Sequence, residues 1–310
     1  MKVLLTGATG YIGSVIAEKL QNAGHHVSGL ARSEASAAAL EGLGIEVVRG
    51  DLDSVEILVE ASQQADAVIH TAFDIGNGDF DNAVAKERLV VRAFIRSLTN
   101  TNKPLIVTSG TAVLGDTGDR VFDEEAAILG APKPGMGAVL ARLEMEQEVL
   151  QAKDIHGVVF RPPNVYGRSN GKAILTLLTF AAHALGAVPF ASGTGDHKWT
   201  FVHVEDLADL YVLALEKAKP GELFHAGAQS GLRTKSIAEA LSTGIGLGGK
   251  TVELDIPELG NALGVPPLAG YWANNSQSSS EKARRVLGWK PKHEDLLGEL
   301  AKPKPVLANA

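Results

Sequence analysis

A glycine-rich turn near the start of the chain limits what it can fold into. The sequence Thr-Gly-Ala-Thr-Gly-Tyr-Ile-Gly over residues 6–13 separates an apolar run, Lys2–Thr6, from a segment of helical periodicity, Tyr11–Ala23. The first glycine allows a sharp turn, the second lets backbone approach a pyrophosphate, and the third lets the helix pack closely on the strand. The alternative is an ordinary strand–helix turn. The predicted nucleotide contacts are Gly7, Thr9, Gly10, Tyr11, Ile12 and Gly13.

The first half of the chain repeats this alternation of strand and helix. Strands are predicted at Lys2–Thr6, His26–Ala31, Ile45–Arg49, Ala67–Thr71, Leu105–Ser109 and Gly157–Arg161. Helices are predicted at Tyr11–Ala23, Ala35–Gly42, Val55–Ala61, Asn82–Thr99 and Ala138–Ala152. Short apolar strands that alternate with helices indicate βαβ units joined by right-handed crossovers. The sequence therefore predicts an α/β fold with a doubly wound parallel sheet.

After Pro162 the alternation becomes less regular. Further elements are predicted at Ile174–Leu185, Thr200–His203, Glu205–Lys217, Leu223–His225, Thr234–Leu241 and Ser280–Leu287, with a turn-rich segment at Gly186–Lys198. We expect residues 1–165 to form the nucleotide-binding domain, and 200–230 to return to it. Residues 166–199 and 231–300 should form a smaller C-terminal α/β lobe that binds substrate, and 301–310 a frayed tail.

Composition excludes several classes of function. The 310 residues include no cysteine, so disulfides, thiolate nucleophiles and cysteine-ligated metal centres are ruled out. The net charge of −7 argues against nucleic acid or an anionic membrane as partner. No metal-ligand spacing occurs, and the apolar stretch Ala173–Phe190 is too interrupted by polar residues and Pro189 to span a membrane. With no signal peptide following Met1, a cytoplasmic location is expected.

The glycine spacing G-x-x-G-x-x-G resembles that of the extended and atypical short-chain dehydrogenase/reductase family, which includes proteins of the NAD-dependent epimerase/dehydratase type. Later landmarks of that family are matched in order by Val68–Ala72, Val107–Gly110, Arg161–Gly167, Phe201–Asp206 and Ala283–Pro291. The resemblance covers nearly the whole chain. It implies a Rossmann-type sheet with a smaller C-terminal substrate lobe, and a small molecule as the substrate.

The end of the second strand bears on which cofactor is bound. An NAD site of this kind places an acid there for the ribose 2′-hydroxyl, but this chain has Ala31 followed by Arg32 and Ser33. A guanidinium suits a 2′-phosphate, so the sequence favours NADP(H) over NAD(H). The alternative is that Arg32 is only a surface cation. Asp51 and Leu52 resemble the family's adenine contact, although Asp51 could instead, or also, be a helix N-cap.

The resemblance implies further cofactor contacts at the ends of later strands. They fall on Thr71, Ala72, Thr108, Pro162, Asn164 and Val165.

The catalytic pair of the family is absent. Its oxidoreductases use a Tyr-x-x-x-Lys pair on one helix, with tyrosine as acid or base. In this chain those positions fall on Ala138 and Arg142, and no tyrosine occurs between Tyr11 and Tyr166. Arg142 could still hold the nicotinamide ribose, or could pair with Glu146 one turn away. The family's serine position implies Ser109 and Thr111 as substrate-orienting hydroxyls.

The substitute proton donor is left open by the sequence. Side chains that could reach the cleft are Tyr166, His203, His183, Lys172 and Tyr271. Three functions remain. The first is an NADP(H)-dependent oxidoreductase acting on a small carbonyl or alcohol with a non-standard proton donor. The second is a non-catalytic NADP(H)-sensing regulatory protein, and the third, less favoured, is a nucleotide-sugar epimerase or dehydratase. A homodimer is common in the resembled family.

Overall fold

The structure, a computed structural model, describes residues 1–74, 79–126, 137–168 and 174–303. Its strands are β1 (Lys2–Thr6), β2 (His26–Ala31), β3 (Glu46–Arg49), β4 (Ala67–His70), β5 (Pro104–Thr108), β6 (His156–Arg161), β7 (Asn164–Tyr166), β8 (Val188–Ala191), β9 (Lys198–His203), β10 (Glu222–His225), β11 (Gln229–Arg233) and β12 (Thr251–Leu254).

The helices alternate with these strands through the first half of the chain. They are α1 (Tyr11–Asn22), α2 (Glu34–Gly42), α3 (Val55–Gln64), α4 (Phe80–Leu98), α5 (Gly137–Leu150), α6 (Ile174–Leu185), α7 (Val204–Lys217), α8 (Thr234–Gly244), α9 (Ile256–Leu263), α10 (Pro266–Trp272), α11 (Glu281–Leu287) and α12 (Leu296–Ala301). A 3-10 turn at Thr111–Leu114 follows β5.

A seven-stranded sheet forms the centre of the molecule, in the order β10-β6-β5-β4-β1-β2-β3. Every neighbouring pair in it is parallel, and the order reverses direction at β1, which pairs with both β2 and β4. Parallel strands are buried on both faces. Accordingly Val3 and Leu5 pack into one hydrophobic cluster with α1 and α7, while Leu4 packs into another with α4 and α5. The predicted α/β fold with a doubly wound parallel sheet is confirmed.

The second half of the chain adds two small sheets. One has the order β11-β9-β7, and the other pairs β12 with β8. The turn predicted across Gly186–Lys198 is wrong for Val188–Ala191, because those residues form β8 against a strand about 60 residues later. A third hydrophobic cluster, centred on Trp199, Phe201 and Trp272, is buried beneath them. The division into a nucleotide-binding domain and a substrate lobe stays a prediction.

Two buried histidines make the fold sensitive to acid. His70 in β4 is fully buried and lies 2.7 Å from the Thr6 hydroxyl, and its pKa is lowered to about 4 by burial. His225 in β10 donates from Nδ1 to the Phe122 carbonyl, while Nε2 faces the Arg161 guanidinium. Burial, with Arg161 adding to it, lowers the pKa of His225 to about 4. Both rings are therefore neutral in the folded chain.

We expect the free energy of unfolding to fall as pH drops from about 6.5 to about 4. Over this window the histidines of the unfolded chain, with their ordinary pKa, bind protons that the folded chain excludes. Each such proton changes the free energy of unfolding by about 1.4 kcal/mol per pH unit. Urea unfolding at several pH values should show that the free energy of unfolding depends less steeply on pH in His225→Gln than in wild type. The exposed His183 supplies the control, since His183→Gln should leave the slope unchanged. Equal slopes in wild type and His225→Gln would contradict the assignment.

Candidate functional site

The glycine-rich turn between β1 and α1 is packed so tightly that it has no room for a Cβ at Gly7 or Gly13. Gly7 has a φ of +79°, and its carbonyl accepts the Gly10 N–H at 2.8 Å. A Cβ on Gly13 would lie 2.1 Å from the Gly7 carbonyl oxygen, far inside van der Waals contact. Gly10 is the N-cap of α1, and no side chain in the described parts of the chain caps that helix. The N–H groups of the first turn are therefore available to an anion, which the helix dipole also favours.

A cavity of about 410 Å³ opens over this turn, where the carboxyl ends of β1, β2, β3 and β4 meet. The Thr71 hydroxyl donates to the Thr6 carbonyl at 2.8 Å, which ties the end of β4 to the end of β1. The predicted residues that line the cavity are Gly7, Thr9, Gly10, Tyr11, Ile12, Gly13, Arg32, Asp51, Leu52, Thr71 and Ala72. Those that the sequence reasoning missed are Leu30, Ser36, Gly50, Phe73 and Asp74.

Ser33 does not line the cavity. It is the N-cap of α2, where its hydroxyl accepts the Ser36 N–H and the Ser36 hydroxyl accepts the Ser33 N–H. This capping box uses both side chains to satisfy the start of the helix. Ser36, not Ser33, lines the cavity wall. A serine three residues after an N-cap serine, the spacing of a capping box, would have been the signal for Ser36 in the sequence.

Arg32 lies at the rim of the cavity, opposite Asp74. Its side chain is 70% exposed, and Nη1 lies 3.4 Å from Asp74 Oδ2. An exposed ion pair of this kind contributes at most about 1 kcal/mol to stability, so it restrains the guanidinium at the rim only weakly.

Asp51 shapes the turn after β3. Its Oδ1 accepts the Ser54 hydroxyl at 2.8 Å and the Asp53 N–H at 3.0 Å. The Ser54 hydrogen bond lowers the pKa of Asp51, so this cavity wall carries a carboxylate. The alternative assignment of Asp51 as the helix N-cap is wrong, because α3 begins at Val55 and its N-cap is Ser54.

The remaining predicted cofactor residues lie outside this cavity, at the ends of β5, β6 and β7. The Thr108 hydroxyl lies 2.6 Å from the Tyr211 phenol in the core. The Pro162 carbonyl accepts the Thr111 N–H at 3.0 Å. Val165 is buried and pairs with Val202. Asn164 differs from these three, because its Nδ2 is buried without a hydrogen-bond partner among the described residues.

Ser109 shares that property with Asn164. Its Oγ is buried and has no partner among the described residues, although its N–H donates to the Phe160 carbonyl at 2.7 Å. Buried polar groups are nearly always hydrogen-bonded, so an orphaned hydroxyl at a strand end suggests a group that a ligand satisfies.

Arg142 in α5 is held away from Glu146. Its Nη2 lies 2.6 Å from Glu87 Oε2 in α4, and its guanidinium stacks 4.4 Å from the centre of the Phe73 ring. Glu146 instead pairs with Arg161, so the alternative i, i+4 pairing of Arg142 is wrong. The Nε of Arg142 is buried and has no partner within the described ranges. Ala138, the residue that the sequence comparison assigned to the family's tyrosine position, is buried and has no acidic group.

Other candidate proton donors are used structurally. The Tyr166 phenol donates to the His293 carbonyl, and His203 caps α7 by accepting the Glu205 N–H. His183 is exposed on α6. Lys172 lies outside the described residues. Tyr271 packs its ring edge-on against Trp199, with 5.0 Å between the ring centroids.

Within residues 1–74, 79–126, 137–168 and 174–303, no helix is long and apolar enough to cross a bilayer, and no group of three or more metal-ligating side chains occurs.

Comparison with known proteins places this geometry in context. The model of the NAD-dependent epimerase/dehydratase family matches residues 3–227. An uncharacterized protein of Saccharomyces cerevisiae is 33% identical over 97% of this chain and 98% of its own length, and one of Schizosaccharomyces pombe is 32% identical over 97% and 98%. A 3-diazoavenalumate denitrifying reductase of a Streptomyces species is 26% identical over 94% of this chain and 97% of its own.

The fold recurs in solved structures of low sequence identity. The UDP-glucose 4-epimerase of Thermotoga maritima, solved with UDP-glucose, superposes with a TM-score of 0.75 at 20% identity, over 97% of each chain.

Proposed function

Because the chain belongs to the NAD-dependent epimerase/dehydratase family, we propose that it binds NADP(H) in the glycine-rich cavity and transfers a hydride to or from a small carbonyl or alcohol. The observation that carries this proposal is the cavity itself. There the N-terminus of α1, which no described side chain caps, follows a turn with no room for a Cβ at Gly7 or Gly13. The Streptomyces relative named as a reductase supports the oxidoreductase class.

The residues present fit a dinucleotide. The pyrophosphate would lie against the first-turn amides of α1, and the adenosine against Asp51 and Leu52. Outside the cavity, three buried polar atoms have no hydrogen-bond partner among the described residues and could contact the nicotinamide end of the cofactor: Ser109 Oγ, Asn164 Nδ2 and Arg142 Nε. When bound, the cofactor supplies the hydride. This chain's own residues orient the ring, hold the ribose and deliver the proton.

Preference for NADP(H) rests on Arg32 and Ser36, both at the cavity wall beyond β2. A 2′-phosphate carries more negative charge than the Asp74 carboxylate and accepts two hydrogen bonds from one guanidinium. It would therefore replace Asp74 as the partner of Arg32, or share Arg32 with Asp74. No carboxylate occupies the end of β2 to receive a ribose 2′-hydroxyl, since Ala31 stands there.

Replacing Arg32 by serine should weaken NADPH binding by about 10-fold to 100-fold, because one charge-assisted contact contributes about 1.5–3 kcal/mol. NADH affinity should change by less than about twofold. Arg49→Ser is the matched control, since Arg49 ends the neighbouring strand, is similarly exposed and pairs with Glu34 outside the cavity. Titration of the reduced cofactors by nicotinamide fluorescence measures both. Equal losses for NADPH and NADH in Arg32→Ser would contradict the preference.

The function is tested by following NADPH oxidation with purified protein across a panel of aldehydes and ketones. Saturable consumption with at least one carbonyl is the expected result. Tight NADPH binding without consumption across the panel would overturn the oxidoreductase and favour the second candidate below.

The second candidate is a non-catalytic NADP(H) sensor. It is favoured by Ala138 in place of the acid, and by Arg142 being paired with Glu87 and stacked on Phe73. Capture of a partner protein that depends on NADP(H) and occurs without turnover would support it. A nucleotide-sugar epimerase is less favoured, since such enzymes use the same absent pair. Retention of a sugar nucleotide by the purified chain would revive it.

A further inference from the structure

The charged side chains that line the cofactor cavity include more carboxylates than cations. Arg32 supplies a positive charge, whereas Asp51 and Asp74 supply two negative charges. Within the described part of the chain, no other lysine or arginine lines this cavity. The 2′-phosphate of NADP(H) would therefore enter a cavity whose own charge disfavours an anion, and whose cation already has a carboxylate beside it.

The ion pair between Arg32 and Asp74 crosses the cavity. Arg32 directly follows β2, and Asp74 lies four residues after His70, the last residue of β4. Both strands pair with β1, one on each side of it, so they lie about 10 Å apart. The contact of Arg32 Nη1 with Asp74 Oδ2, at 3.4 Å, therefore spans the end of β1, where the glycine-rich turn begins.

The residues before Asp74 are held against the rest of the fold. The Thr71 hydroxyl donates to the Thr6 carbonyl at 2.8 Å, and the centre of the Phe73 ring lies 4.4 Å from the Arg142 guanidinium. These contacts restrain the backbone that carries Asp74 on the cavity wall. Little conformational freedom is then left to lose when the Asp74 carboxylate pairs with a cation across the cavity.

We propose that Asp74 is a specificity-determining residue, because its carboxylate competes with the 2′-phosphate of the cofactor for Arg32. This inference rests on the proposed binding of NADP(H). In the free chain the carboxylate pairs with the guanidinium, and binding of NADP(H) replaces it with the phosphate. A cofactor without a 2′-phosphate leaves the pair intact. Asp74 therefore lowers the affinity for NADP(H) but not for NAD(H), and limits how strongly the chain distinguishes the two.

The exchange of partners favours the phosphate, but the carboxylate reduces the gain. A guanidinium donates two parallel hydrogen bonds to a phosphate, which carries the larger charge. An exposed ion pair is favoured over its separated form by up to about fivefold. The apparent affinity for a competing ligand falls by the same factor, because only molecules with an unpaired Arg32 can accept the phosphate directly.

Isothermal titration calorimetry with two fragments of the cofactor tests this competition. Adenosine 2′,5′-bisphosphate carries the 2′-phosphate, adenosine 5′-monophosphate lacks it, and neither contains nicotinamide. Asp74→Asn should bind the bisphosphate about threefold to fivefold more tightly than wild type does, and should bind the monophosphate within about twofold of the wild-type affinity. The gain for the bisphosphate should shrink as sodium chloride is raised to about 0.5 M, since salt screens exposed charges.

Two comparisons distinguish competition for Arg32 from a general loss of negative charge. Asp119→Asn removes the same charge from an exposed partner of Lys198 outside the cavity, and should leave both affinities unchanged. In the Arg32→Ser background, Asp74→Asn should strengthen bisphosphate binding by less than about twofold, because the contested cation is gone. Thermal unfolding checks that each variant is folded.

The outcomes distinguish this inference from the proposed function. A wild type that binds NADPH, together with an Asp74→Asn variant that gains no affinity for the bisphosphate, overturns the competition alone. Equal gains for both fragments, or an undiminished gain when Arg32 is replaced, also overturn it. A wild type that binds neither NADPH nor the bisphosphate overturns the proposed binding of NADP(H), and the competition with it.

Discussion

Replacing Gly13 by alanine is expected to abolish dinucleotide binding, with a loss of about 100-fold or more in affinity. The new Cβ would lie 2.1 Å from the Gly7 carbonyl oxygen and 2.7 Å from its carbonyl carbon. Both are backbone atoms, so the clash can be relieved only by moving α1 away from the turn, which displaces the amides that face the anion. NADPH titration, together with thermal unfolding of the same sample, measures the effect.

The control for this prediction is Gly42→Ala. Gly42 is the last residue of α2, and a Cβ there meets nothing within 4 Å. Cofactor affinity should be unchanged, and the melting temperature equal or higher, because alanine favours helix over glycine. If Gly13→Ala is folded and binds NADPH as wild type does, the glycine-rich turn is not the binding site.

Replacing Arg161 by methionine is expected to lower the free energy of unfolding by about 3–5 kcal/mol, because it leaves a buried carboxylate without its partner. The Glu146 side chain is fully buried, and Arg161 Nε donates to its two oxygens at 3.0 and 3.1 Å. Urea unfolding at pH 7 measures the loss.

Two further variants identify the cause. Arg161→Met combined with Glu146→Leu should recover most of the stability, since no charge is then left in the interior. Arg92→Met, which breaks a more exposed pair with Glu148, should change stability by no more than about 1 kcal/mol. Arg161→Met costing no more than Arg92→Met would show that Glu146 is solvated or neutral once its partner is lost.

The sheet of the first half could be predicted because its strands are short apolar runs with local helical crossovers. β1 and β2 have the predicted bounds. The pairing of β8 with β12 could not be predicted, since neither Val188–Ala191 nor Thr251–Leu254 carries a local sequence signal that identifies its partner strand. Only the folded lobe brings these segments together.

The candidate site likewise contains residues that the local sequence predicts and residues that it does not. The glycines, Arg32 and Asp51 were predictable because a turn and two strand ends define them locally. Asp74 and Phe73 were missed, since their place at the cavity depends on how the chain leaves β4. The pairing of Arg142 with Glu87 depends on how α4 packs against α5, which its own helix does not indicate.

The unmodified chain is expected to bind NADP(H) in the cavity over the glycine-rich turn. Titration of the purified protein with NADPH and, separately, with NADH, followed by nicotinamide fluorescence, tests this directly. Saturable one-to-one binding of NADPH, with a Kd at least about 10-fold below that of NADH, is the predicted result. Binding of neither cofactor at millimolar concentration, or tighter binding of NADH, would contradict it.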